Sequence, residues 1–116
     1  MAAVIKKNWD HGQVTLSSTS AAQKIGVLNG GESITVKGMV SNSDVVYIGE
    51  DRSVTSSNGY ELDIGETITL EHDISFGRNS QIEIWAIPAS ADDVVCYIKL
   101  IGKSKEKNTP AEGPNA

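Results

Sequence analysis

"VYIGEDRSVTSSNGYELDIGETI", residues Val46 to Ile68, decides how the rest of the chain is read. It opens on the apolar run Val46-Tyr47-Ile48 and turns polar at Glu50. Asn58-Gly59 is a turn signal, because both residues accept positive φ. Gly65 is a second, and "ETITL" then resumes an alternation of polar and apolar residues. A period of two marks a strand with one buried face. The stretch therefore reads as strand, polar excursion, turn and strand. It holds no nucleophile beside a base, no base with an orienting partner and no metal-ligand spacing.

The same pattern extends outward in both directions. Val14 and Leu16 alternate with polar residues in "GQVTLSSTS", and "KIGVL" follows before the turn "NGG". "ESITVKGMV" alternates Ile34, Val36, Gly38 and Val40, and "SNSD" turns the chain into "VVYIG". Beyond Gly65, "ETITLE" carries Ile68 and Leu70, and "QIEIWAI" carries Ile82, Ile84 and Ala86. "DVVCYIKLI" closes the set with Val94, Cys96, Ile98 and Leu100. No window sustains a helical period with caps. About seven to eight short strands, separated by Gly, Asn, Ser and Asp clusters, predict an antiparallel sandwich or barrel. The expectation is an all-β fold: a compact antiparallel β-sandwich, Greek-key or jelly-roll-like.

Length and composition agree with one such domain. The chain has 116 residues, enough for a modest core. Hydrophobic residues make up 39% and aromatics only 5%, so the core must rest on Val, Ile and Leu. The expected division is an N-terminal arm over 1–11, a sandwich over 12–101 and a polar C-terminal tail over 102–116. That tail, "GKSKEKNTPAEGPNA", has no large apolar residue and reads as flexible. Its Lys103, Lys105 and Lys107 share a face if the segment is extended. They could meet an acidic partner, but a solvated tail is the preferred reading.

The formal net charge is −5, which argues against nucleic acid as the main partner. No apolar stretch has the length or flanks of a signal peptide or a bilayer span, so no membrane role and a soluble protein are expected. The single cysteine, Cys96, excludes an intramolecular disulfide and reads as a small buried apolar side chain.

Each chemistry-bearing residue of the chain also has a plainer reading. His72 sits between Glu71 and Asp73, but neighbours in a strand point to opposite faces and cannot converge. His11 in "WDHG" has no partner at ligand spacing. Glu61, Asp63, Glu66, Glu71 and Asp73 are oxygen-rich, yet match no calcium loop. A glycosidase pair would need a defined separation and a sugar cleft that an aromatic-poor chain supplies badly. The expectation is no enzyme, no cofactor and no metal.

One feature exceeds what an isolated sandwich requires, since each strand there needs only one apolar face. With Ile82, Ile84 and Ala86 turned inward, Trp85 and Ile87 fall on the outer face. With Val94 and Cys96 inward, Val95 and Tyr97 also fall outside. "VVYIG" is apolar on both faces. Cover must come either from the N-terminal arm or a loop, with Trp9 as an anchor, or from a neighbouring subunit. Trp9, Trp85, Ile87, Val95 and Tyr97 are thus the candidate interface residues.

The order "ITVKGMVSNSDVVYIGEDRSVTSSNGYELDIGETITLE", then "QIEIWAIPASADDVVCYIKL", resembles small virion proteins of tailed phages. The matching residues are Val46 to Gly49, Val54 to Gly59, Leu62, Gly65, Glu66 and Trp85 to Ile87, within a similarity covering about Val14 to Ile101. The resemblance implies a β-sandwich, a homo-oligomer and attachment to a shell or tail. It points to a head decoration protein at the capsid surface, which binds the assembled shell through the major capsid protein or another virion protein. A closed trimer is the first expectation. The alternative is a receptor- or carbohydrate-binding module of a fibre, for which Tyr60 beside the "SSNG" loop is the one loop aromatic.

Overall fold

A computed structural model describes residues 8–101. Eight strands form in chain order: β1 (Trp9–Leu16), β2 (Gln23–Asn29), β3 (Ser33–Gly38), β4 (Val46–Gly49), β5 (Tyr60–Leu62), β6 (Thr67–Glu71), β7 (Gln81–Pro88) and β8 (Asp93–Leu100). One 3-10 turn, Ile74–Phe76, lies between β6 and β7. The strands make two four-stranded sheets, ordered β1-β8-β3-β6 and β2-β7-β4-β5. Every pairing is antiparallel. This strand order is a jelly roll, in which the chain crosses from one sheet to the other between most consecutive strands.

Alternation builds the core as expected. β3 turns Ile34 and Val36 inward, and β6 packs Ile68 and Leu70 beside them. The second sheet contributes Ile25, Leu28, Val46, Ile48, Leu62, Ile84 and Ala86. These aliphatic side chains interlock with Tyr97 as the one aromatic packed against them. The seven strands read from the sequence all form, and the eighth, β5, is a three-residue edge strand too short to show a period.

Two expectations are corrected by the pairing. The first concerns the arm over 1–11. Trp9, Asp10 and His11 belong to β1, where they pair with Leu100, Lys99 and Ile98. "WDHG" shows no apolar alternation, so its strand character comes from the partner strand rather than from its own sequence. Residues 1–7 and 102–116, which carry the rest of the expected arm and the whole tail, lie outside the described residues.

The second concerns β8, whose faces are inverted. Val95 is 0% exposed in the core, and Tyr97 packs against the core. Val94, Cys96, Ile98 and Leu100 face outward instead. A one-residue change of register moves every side chain to the other face, and a strand apolar on both faces cannot decide it alone. The neighbours decide it. Tyr97 lies opposite Gly12 and Val36. A Cβ at Gly12 would come within 2.9 Å of the Tyr97 hydroxyl, so the glycine gives the ring its room. Asp93 starts the same inward set at 5% exposure. Its two carboxylate oxygens accept from the Ser43 and Asp44 amides at 2.8 and 3.0 Å. Asn42 adds a strand-like pair to Val94, accepting its N–H at 2.8 Å and donating to its C=O at 2.9 Å. These bonds pin the β3–β4 loop to β8.

Candidate functional site

The stretch from Glu50 to Gly59 is a cover folded onto the outer face of the second sheet. Val54, 4% exposed, fills the space over two glycines. A Cβ at Gly49 would meet Val54 Cβ and Cγ2 at 2.5 Å, and one at Gly59 would meet Val54 Cγ2 at 2.7 Å. The rest of the loop closes on itself. Asn58 Oδ1 accepts from the Thr55 amide at 2.7 Å, and its Nδ2 donates to the Ser53 carbonyl at 3.2 Å. The Ser53 hydroxyl and then its amide donate to Asp51, holding that carboxyl below the usual carboxylate range.

This loop accounts for part of the apolar outer face of the second sheet. Ile87 is only 7% exposed, and Tyr47 and Gly49 are its neighbours' outward residues. Trp85 is half-buried. The Arg52 guanidinium sits 5.8 Å from its ring centroid. Its indole N–H donates to Glu83 at 2.8 Å, and Glu83 meets Lys24 at 3.7 Å. Of the five candidate interface residues, Ile87, Val95 and Tyr97 are thus used inside the domain. Trp85 is partly covered by its own chain. Trp9, 43% exposed, keeps an outward position.

The acidic residues serve the turns. Glu66 accepts from the Asp63 amide at 2.8 Å, fixing the turn where Gly65 takes φ 76°. Asp73 caps the 3-10 turn by accepting from Ser75 at 2.8 Å. The Ser75 amide and hydroxyl, with a smaller effect of His72, hold its carboxyl below the usual range. His72 is buried, with Nε2 3.1 Å from the Ser80 hydroxyl and its ring stacked on Phe76 at 5.4 Å. Glu32 accepts from the Asn29 amide at 2.8 Å and meets Lys99 at 3.5 Å. Cys96 is half-buried, its thiol donating to the Lys37 carbonyl at 3.8 Å. Among the described residues, no group of three or more His, Cys, Asp or Glu could hold a metal ion. None of their helices is long and apolar enough to cross a membrane.

Five exposed apolar residues, Trp9, Ile74, Phe76, Leu100 and Ile101, lie toward one end of the sandwich, while Val40, Tyr60 and Ile64 are exposed elsewhere and Ile98 on the face of the first sheet. Asn8 and Ile101, the first and last described residues, are joined at that end by an N–H···O bond of 2.8 Å. They line a groove with Gly31, Glu71, His72 and Ile74. Ile74 and Phe76 stand exposed on the β6–β7 loop, and Trp9, Leu100 and Ile101 on the strand ends. Sequence reading named Trp9 from this set and missed Ile74, Phe76 and Leu100. Ile74 and Phe76 lie outside any strand, and Leu100 was assigned to the inner face.

No known protein family matches the chain, and no curated protein matches it. Among solved structures, it is similar to a de novo designed double-stranded beta-helix solved by solution NMR. The identity is 11% and the TM-score 0.47, over 81% of this chain and 97% of that one.

Proposed function

We propose that this protein is a structural component of a phage-like virion, a head decoration protein that binds the assembled shell and stabilises it. The exposed apolar side chains of Ile74, Leu100 and Ile101 that line the groove, with exposed Phe76 two residues beyond Ile74, are the observation that supports this reading. Exposed apolar side chains gathered at one end of a small domain mark an interaction surface. The hydrogen-bonding side chains described above are engaged in turns, caps and loop closure, as a rigid adhesive module requires.

Stabilisation would follow from mass action. A protein that binds the assembled lattice and not its dispersed subunits adds about 2.7 kcal/mol per site at 100 times its dissociation constant. The test is to add purified protein to shells that lack it. Saturable binding and a rise in the shell's disruption temperature are expected, and Phe76→Ser together with Ile101→Glu should abolish both. Absence of binding to shells, with binding to a cell surface or glycan, would replace this reading with that of a fibre tip.

A further inference from the structure

The outer face of the first sheet is an ordered array in three rows. Trp9, Leu100, Ser33 and Glu71 lie side by side across β1, β8, β3 and β6. His11, Ile98, Thr35 and Thr69 form the next row, and Gln13, Cys96, Lys37 and Thr67 the third. The central strand carries the apolar surface: Ile98 is 52% exposed and Leu100 54%. Beside it, the threonine pair Thr35–Thr69 is tied by a hydroxyl bond of 2.8 Å. In a chain of net charge −5, these three rows carry one carboxylate, Glu71, and one ammonium, Lys37.

We propose that this face binds a second copy of the chain, face to face, about a twofold axis lying along the row His11–Ile98–Thr35–Thr69. The placement of the two charges selects this axis. Such an axis exchanges the first row with the third. Ile98 meets Ile98 of the second copy, and Leu100 meets Cys96. Lys37 comes to lie one strand spacing, about 4.8 Å sideways, from Glu71 of the second copy. The relation is reciprocal, so both ion pairs form at once, as an isologous interface requires. The weakly charged surface lets two acidic molecules approach with little repulsion.

The footprint sets the strength. Strands of eight, eight, six and five residues, at about 3.4 Å per residue and about 4.8 Å spacing, give roughly 440 Å² per copy, or about 900 Å² in all. That is the low end for a specific interface. The dimer is therefore weak and concentration-dependent in solution. The inference does not rest on the virion reading, because self-association is measured with no shell present.

The experiment is sedimentation of the full chain from about 10 µM to about 1 mM, the range in which a small interface dissociates. The mass should rise toward a dimer with concentration. Ile98→Asp, at an exposed position, should keep the circular dichroism of the parent and weaken association by about tenfold or more. Lys37→Glu and Glu71→Lys should each weaken it by about fivefold, and the double swap should restore it. A monomer throughout the range overturns the proposal. So does association unchanged by Ile98→Asp, or a double swap no stronger than either single change. Loss of shell binding by the parent protein, with self-association intact, would refute the decoration reading alone.

Discussion

Gly49→Ala tests whether the loop from Glu50 to Gly59 is held on the sheet by Val54. The new methyl would sit 2.5 Å from both Cβ and Cγ2 of Val54. A rotamer change moves Cγ2 but cannot move Cβ, so the backbone of the loop must lift. Lifting it exposes Val54, which is 4% accessible, and uncovers part of the face around Tyr47 and Ile87. Exposing a buried valine costs about 1.5–3 kcal/mol. The smaller freedom of alanine in the unfolded chain returns about 0.4–1 kcal/mol. A net loss of about 2 kcal/mol is expected. Val54→Ala alone, which leaves the loop seated but hollow, should cost about 2 kcal/mol. The two changes together should cost little more than Gly49→Ala, because a lifted loop has no valine contact left to lose. The non-additivity is therefore about 2 kcal/mol. Chemical denaturation of the four proteins gives it directly. In a Trp9→Phe background, Trp85 emission should shift to the red with Gly49→Ala as Arg52 leaves the ring. Additive single costs, or a Gly49→Ala protein as stable as its parent, would refute the seating of Val54 on the strand.

Three other outcomes follow from the packing. Val95→Asp should prevent folding, since it sets an unpaired charge at a site with no exposure, whereas Ile98→Asp should fold; circular dichroism of both tests the inverted face of β8. Asp93→Ala should lower stability by about 3 kcal/mol in urea, because the Ser43 and Asp44 amides lose their acceptors. Asp51 and Asp73 have carboxyls depressed by their serine partners, so their contribution is present above the usual carboxylate value and is lost as pH falls through the lower folded value. The Ser53 and Ser75 amide resonances should therefore titrate below about pH 3.9, and midpoints at or above it would contradict the bonds.

Strand alternation made most of this fold legible in advance, because residues such as Ile34, Val36, Ile68 and Leu70 face one sheet interior at a strict period of two. It failed where that signal is degenerate. "VVCYIKL" is apolar at both parities, and the choice between them rests on Gly12 in another strand, 85 positions before Tyr97. A glycine beside a bulky aromatic is informative only once the pairing is known. The candidate interface inherited the same error, since Val95 and Tyr97 entered it by parity alone. Val54 was hidden for a different reason. It is a single apolar residue in a polar run, and its burial depends on two glycines, Gly49 and Gly59, that flank it in space.

The two outer faces of the sandwich show what this chain completes by itself and what it leaves open. Both began with more apolar residues than a solvated sheet needs. On the second sheet, Val54 of the β4–β5 loop packs over Gly49 and Gly59, Arg52 lies over Trp85, and Ile87, opposite Tyr47, is 7% exposed. On the first sheet, the described residues bring no comparable loop, and Ile98 and Leu100 stay about half exposed. Had these residues served only to fill the molecule, the inward parity of β8 would hold them. It holds Val95 and Tyr97 instead. Exposed Ile98 and Leu100 raise the tendency to associate and add little to the fold of the monomer. Their position at the centre of a flat, weakly charged face is what a surface for another protein molecule requires, and the covered face opposite leaves that surface as the natural side for contact.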